Sequence, residues 1–286
     1  MKGTRIKRSR SEYFVYSIVF LIFFVFAGSY VLAYLWGVMS AMNTHTNIYL
    51  NPFKFPKVWH PENFIEAFKQ FKHNDTDMLG MIGNSLWLVF GASTLSILGP
   101  TLMAYATTKY KFVGRKALIT INILTMIIPI MGTLPAQYRL YGKFGFLDSP
   151  LLLIAYFSCF GSTNLYLTAF FKNLSWEYAE AAIIDGAGHY TVLFRIMLPL
   201  AKGPIMALFV MQCVGIWNDY MTALLFLPSY PTLATGIYLF QRWVIYRSTM
   251  HILFAALILS SIPGLIIYIC FNKTILTNVS LGGLKG

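Results

Sequence analysis

The sequence predicts an all-α membrane protein with six transmembrane helices and both termini in the cytoplasm. Three observations lead there. Of 286 residues, 57% are hydrophobic and only 11% charged, where a soluble chain carries roughly 25% charged residues. Six stretches reach the length of about 20 predominantly apolar residues that a membrane-crossing helix requires. Lys and Arg gather on alternate connections between those stretches, which orients the chain.

The first span, residues 13–39, follows Lys2, Arg5, Lys7, Arg8 and Arg10. It is much longer than a signal-peptide core and has no small-residue cleavage site, so it reads as a retained anchor. The connection 41–79 comes next. Within it Phe64, Ile65, Phe68 and Phe71 fall on one helical face. That pattern predicts a short helix lying on the membrane or capping the bundle, or else a docking surface for an extracellular partner.

Spans two to six cover residues 80–107, 117–136, 150–171, 204–227 and 252–272. Each has to be helical, because lipid offers no hydrogen-bond partner to an open strand. Gly99-Pro100, Pro129, Gly132, Pro135 and Pro263-Gly264 predict interruptions, tolerated where freed backbone groups face protein or a water-filled cavity. Cys159, Cys213 and Cys270 fall in three different spans without paired spacing. They read as small core hydrophobes, with no disulfide framework or metal site.

Orientation follows from counting cations. Besides the N-terminal cluster, one side carries Lys109, Lys111, Arg115, Lys116, Lys172, Arg195, Lys202, Lys273 and Lys285. The opposite side carries Lys54, Lys57, Lys69, Lys72, Arg139, Lys143, Arg242 and Arg247, fewer and more nearly balanced by acids. The richer side, with both termini, is cytoplasmic. Cations flanking spans also account for the net charge of +12 without any nucleic-acid partner.

The cytoplasmic connection 172–203 is polar and carries three acids close together, Glu177, Glu180 and Asp185. Ser175 can cap a helix opened by Glu177. Asp185-Gly186-Ala187-Gly188 breaks it, because glycine permits a backbone reversal. A second helix carries Tyr190, Leu193, Phe194 and Ile196 and stops at Pro199. Small residues at Ala181, Ala182 and Gly186 let a neighbouring surface approach, and Glu180 and Asp185 offer charged anchors. Composition leaves two readings open: a docking loop that passes a push into the bundle, or a solvated linker.

Elsewhere the sequence excludes more than it assigns. It has no G-x-x-x-x-G-K-[ST] phosphate loop, no H-E-x-x-H site and no nucleophile–base–acid set. His45, His60, His73, His189 and His251 are scattered at connections and span ends and read as surface residues. Asp219 is the one acid inside an expected span. Trp217-Asn218-Asp219-Tyr220 is therefore either a polar patch on a translocation path or a helix-packing cluster. Aromatic faces suit sugar rings, but 24 Phe, 18 Tyr and 6 Trp single out no binding set.

Glu180-Ala181-Ala182, Asp185-Gly186-Ala187 and Ile196-x-Leu198-Pro199 together resemble the EAA loop of binding-protein-dependent ABC importer permeases. Asn84-Ser85, Ala104-Tyr105-Ala106 before Lys109-Tyr110-Lys111-Phe112, and Trp217 to Tyr220 resemble the maltose and oligosaccharide branch. The ending Gly282-Gly283-Leu284-Lys285-Gly286 is similar to that of its subunit with a short C-terminal tail. One departure is that Gly203 stands where members often carry proline, with Pro204 following.

The resemblance implies a type I ABC importer permease fold in one domain, 1–286, with its core at about 75–275. It implies a permease subunit of an ATP-driven sugar importer in a bacterial-type cytoplasmic membrane. Partners would be a second homologous permease, two ATPase subunits, an extracytoplasmic sugar-binding protein and the lipid bilayer. ATP and Mg would be bound by the ATPases, leaving this chain without a cofactor. Glu180, Ala181, Ala182, Asp185, Gly186 and Ala187 would couple to the ATPase. The rivals are a secondary transporter, which would show several intramembrane acids or an inverted repeat, and an intramembrane enzyme. Neither accounts for the cytoplasmic helix–turn–helix.

Overall fold

The computed structural model describes residues 10–128, 132–247 and 249–281, apart from the side chains at 10, 11, 243, 245–247 and 271–281. Lys2, Arg5, Lys7, Arg8, Pro129, Lys285 and the glycine-rich ending lie outside the described residues, as do the side chains of Arg10, Arg247 and Lys273. The chain divides into two compact units, residues 1–70 with 240–259 and residues 71–239 with 260–286.

The first unit opens with helix α1 (Arg10–Ala41), followed by α2 (His45–Leu50) and α3 (Glu62–Gln70). From Phe14 to Leu35 every residue of α1 except Gly28 is exposed, whereas Gly37, Met39, Ser40 and Ala41 are buried. Phe, Val and Leu displayed on all sides of a helix have to be covered by lipid or by another apolar surface. The apolar residues read as one face of α3 are divided: Phe71, just past its end, is buried and Phe64 half-buried. Asn63 and Ala67 point inward, while Ile65 and Phe68 are exposed. Asn63 turns the helix, because its amide Nδ2 donates to the carbonyls of Ala41 and Asn43, both at 2.9 Å. Satisfying two buried carbonyls outweighs burying one more apolar side chain.

The second unit begins with a two-stranded ribbon, β1 (Lys72–His73) and β2 (Thr76–Asp77), antiparallel with Lys72 opposite Asp77. Helix α4 (Met78–Lys109) follows, capped by Asp77, whose carboxylate accepts the Gly80 N–H at 2.8 Å. The remaining elements are α5 (Arg115–Ile127), α6 (Leu134–Lys143), a 3₁₀ segment (Pro150–Tyr156), α7 (Ser162–Asn173), α8 (Glu177–Ile184) and α9 (His189–Val192). A π-helical stretch (Leu193–Met197) leads into α10 (Leu198–Leu200), α11 (Lys202–Asn218), α12 (Met221–Phe226), α13 (Leu233–Arg247) and α14 (Met250–Leu281), the last two belonging to the first unit over residues 240–259.

Helix α4 is the scaffold of this unit and packs chiefly against α7 and α11. Its glycines let the 150–161 segment approach as well: a Cβ on Gly99 would lie 2.8 Å from the Ser158 carbonyl oxygen, and one on Gly91 2.8 Å from Leu153.

Three expected spans are long, unbroken apolar helices among the described residues: Glu12–Ala41, Met78–Lys109 and Met250–Cys270. The other three are segmented. Helix α5 has 13 residues, about 20 Å of rise against a hydrocarbon core of about 30 Å. The fourth expected span is split by the 158–161 turn, where Gly161 has φ +117°. Its backbone is not left unpaired, since the Asn122 side chain of α5 accepts the Gly161 N–H at 2.7 Å. The fifth breaks at Asp219.

The expected interruptions at Gly99-Pro100 and Pro263-Gly264 do not occur; α4 and α14 run through both prolines. Proline removes a single donor from the ladder, a loss that a long helix packed in protein tolerates. The cysteines also divide. Cys213 is a core residue as expected, Cys159 is half-buried, and Cys270 is exposed on α14.

Candidate functional site

The connection 172–203 is a helix–turn–helix built from local signals. The Ser175 hydroxyl accepts the Glu177 N–H at 3.2 Å and opens α8. The helix stops where Gly186 takes φ +85°. There the Gly186 N–H donates to the Ile183 carbonyl at 3.0 Å and the Ala187 N–H to the Ala182 carbonyl at 2.9 Å. That bond pair, with glycine in the left-handed position, is a Schellman stop. The second helix does not end at Pro199. It shifts to π register over Leu193–Met197 and continues to Leu200, then meets α11 at a 70° bend. A proline lacks the N–H of the regular ladder, and a wider turn just before it accommodates that loss.

The loop is anchored on the Lys109 end of α4. Ala179, Val192, Met197 and Ala201 are buried in one cluster with Ala104, Tyr105, Leu167 and Phe171. Tyr110 forms the junction. Its ring packs edge-on against Tyr105, Trp176 and His189, with centroids 5.6, 5.8 and 5.6 Å away. Its hydroxyl hydrogen-bonds with the Tyr105 hydroxyl at 3.1 Å and with His189 Nδ1 at 3.3 Å. Lys109 Nζ donates to the Leu174 carbonyl. The starts of both loop helices are therefore tied to α4.

Of the six residues expected to couple, Glu180, Ala181, Asp185 and Gly186 are exposed together, whereas Ala182 and Ala187 are half-buried and pack on the anchoring cluster. The last two therefore shape the loop from within. The exposed face also displays Tyr178, Ile184, Tyr190 and Phe194, with Ile184 85% and Tyr190 81% accessible. Tyr178 and Ile184 escaped the sequence reading. The spacing of Trp176, Ala179 and Ala182 was the available signal, since residues three apart share a helix face and leave Tyr178 and Ile184 on the other.

Trp217, Asn218, Asp219 and Tyr220 are contiguous, but their side chains make separate contacts. A Cβ on Gly264 would lie 3.4 Å from the Trp217 indole nitrogen. The Asn218 amide donates back to the Val214 carbonyl at 2.8 Å. Asp219 starts α12: one carboxylate oxygen accepts the Met221 and Thr222 N–H groups at 2.9 and 3.1 Å, and the other accepts the Thr222 hydroxyl at 2.5 Å. Tyr220 stacks on Tyr238 with centroids 4.5 Å apart, and its carbonyl accepts the Thr235 hydroxyl at 2.9 Å. Trp217 and Asn218 thus close α11, while Asp219 and Tyr220 lead into α12.

The other sequence motif, Asn84-Ser85, braces the segment before α13. Asn84 Nδ2 donates to the Pro231 carbonyl at 3.1 Å, and the Ser85 hydroxyl accepts the Leu233 N–H at 2.8 Å.

Residues 96–279 match the family described as binding-protein-dependent transport system inner membrane component. The chain is 27% identical over 256 residues to the diacetylchitobiose uptake system permease protein of Streptomyces coelicolor, covering 88% of this chain and 83% of that one. It is 29% identical over 238 residues to the maltodextrin transport system permease protein of Bacillus subtilis, covering 81% and 83%. Among solved structures, a chain of a bacterial ABC transporter involved in the import of the acidic polysaccharide alginate superposes with a TM-score of 0.76. That match is 19% identical and covers 94% of this chain and 99% of the other, so the two share a fold.

Proposed function

The chain belongs to the family of inner membrane components of binding-protein-dependent transport systems, and from that premise we propose that it is the permease subunit of an ATP-driven importer whose cargo is an oligosaccharide. The relatives named for diacetylchitobiose and maltodextrin support the cargo class. The proposed assembly adds a second homologous permease, two ATPase subunits that hold ATP and Mg, and an extracytoplasmic sugar-binding protein. The membrane is the bacterial cytoplasmic one, with the termini and the 172–203 loop on the ATPase side, as the distribution of Lys and Arg supports.

The observation that carries the coupling role is the exposed face of α8 and its turn. Glu180 and Asp185 lie among Ile184, Tyr190 and Phe194 on a loop rooted in the α4 scaffold. Apolar side chains ringed by charge on a water-facing loop fit a protein partner. A partner pushing there moves α8 and α9, and through Tyr110 and Trp176 it moves α4. Nucleotide biases the cavity between two access states only as far as the assembly binds it differently in the two.

Purification of the native complex from membranes, with identification of its subunits, tests this reading. The expected preparation contains a homologous permease and an ATPase, with the binding protein recovered in the presence of sugar. A preparation that contains this chain without any ATPase overturns it.

A further inference from the structure

The loop that leaves α1, residues 44–61, carries Lys54 and Lys57, no acid, and a run of exposed apolar residues. Tyr49, Leu50, Phe53, Phe55, Val58 and Trp59 are all open, with Phe53 81% and Phe55 73% accessible. A patch of that kind is uncommon on a surface that meets only water.

Two observations place the loop at the membrane boundary. First, the exposed apolar surface of α1 runs from Phe14 to Leu35 and ends where Trp36 is half-buried and Gly37 buried. At 1.5 Å per residue that stretch rises about 33 Å, the thickness of the hydrocarbon core, so Trp36 lies at its edge. Second, the loop folds back to that level. The Trp36 indole N–H donates to the Pro52 carbonyl at 2.7 Å, and the Phe53 ring lies 6.1 Å from the Trp36 ring. The far end of the loop returns as well, with the His60 N–H donating to the Met42 carbonyl at 3.0 Å. Ile48 and Pro56 are buried, which fixes the outward aim of the residues beside them.

We infer that residues 49–59 are an interfacial anchor that binds a phospholipid leaflet at the end of α1. The apolar side chains enter the boundary between headgroups and acyl chains, and the ammonium groups of Lys54 and Lys57 meet lipid phosphates. Aromatic rings partition to that boundary, and lysine stems reach from it towards phosphate. Absence of acids removes the repulsion that a carboxylate would meet there. The anchor holds α1 at a defined depth. It is independent of the coupling role assigned to residues 172–203.

The test uses the assembled complex in nanodiscs containing phosphatidylglycerol. Cys159, Cys213 and Cys270 are first replaced by alanine, and a spin label is attached at Leu50→Cys or Phe55→Cys. Val113→Cys, in the fully exposed connection before α5, is the aqueous reference. Power saturation with oxygen and with a water-soluble nickel chelate reads the depth. The expected labels lie about 5–10 Å inside the phosphate level. Their oxygen-to-chelate ratio is several-fold above that of Val113→Cys and is unchanged when the binding protein is removed. Adding Lys54→Gln and Lys57→Gln shifts the Phe55 label towards water. If one cysteine variant fails to assemble, the other gives the reading alone. Labels as open to the chelate as Val113→Cys, or shielded only when the binding protein is present, overturn the inference.

Discussion

Helices α1 and α4 are each 32 residues long and apolar enough to cross a bilayer, yet their surroundings are opposite. None of the apolar stretch of α1 is buried, whereas half of that of α4 is. The difference is written in residue type as well as in hydropathy, which is higher in α1. Helix α1 presents Phe, Val, Leu and Tyr in every direction. Helix α4 turns Ser85, Ala92, Ser93, Gly99, Thr101 and Ala104 into protein. Without a hydrophobic force to drive association inside lipid, helices are held by close approach and by hydrogen bonds from small polar residues. Hydropathy finds a span; small and polar residues show which span is the scaffold.

The sharpest way to break that comparison is one substitution made in both helices. Gly99→Val in α4 sets a branched side chain against the Ser158 carbonyl, where a Cβ alone would lie 2.8 Å away. Gly28→Val in α1 meets nothing within 4 Å. We expect Gly99→Val to cost about 3 kcal/mol or more through overpacking against backbone, and Gly28→Val to stay within about 0.5 kcal/mol. Thermal unfolding in detergent, followed by size exclusion, reads both. Equal midpoints for the two variants would remove the distinction between scaffold and lipid-facing helix.

A smaller effect is expected at Ser85. Ser85→Ala leaves the buried Leu233 N–H without its acceptor, at a cost of about 2 kcal/mol, and Ser85→Thr restores most of it. Asp219→Ala is the mildest, about 1 kcal/mol for loss of the α12 cap. Asp219→Asn should recover that stability, since an amide oxygen also caps. If Asp219→Asn keeps stability but loses transport, Asp219 has a role on the translocation path beyond capping.

Much of this architecture was legible in the sequence. Ser175 and Gly186 are local signals whose effect depends on a few neighbouring residues, so the start and turn of the helix–turn–helix could be read directly, whereas Pro199 did not stop the second helix. Three spans were legible as whole helices, the other three only as lengths of apolar chain. The break before Gly161 depends on an acceptor from Asn122, 39 residues away, and the continuity of α4 through Pro100 on the environment of one turn. The orientation of α3 was hidden for the same reason: Asn63 faces inward because Ala41 and Asn43 present carbonyls there, and periodicity contains no trace of them. The exposed Ile184 and Tyr178 looked like ordinary apolar residues until their neighbours Ala179 and Ala182 were seen packed.

The central claim is that residues 180–186 couple this permease to an ATPase, and Gly186→Val addresses it most directly. At φ +85° any side chain is strained by roughly 1–2 kcal/mol, while nothing beyond the two adjoining residues lies within 4 Å of the new Cβ. The damage is therefore confined to the shape and outer surface of the turn. In the reconstituted complex, with Lys111→Ala as the control in the other cytoplasmic connection, sugar uptake and ATP hydrolysis are measured together. The account predicts normal membrane insertion with weakened assembly or hydrolysis uncoupled from uptake for Gly186→Val, and near-native values for the control. Normal assembly, ATPase stimulation and uptake in Gly186→Val would contradict it.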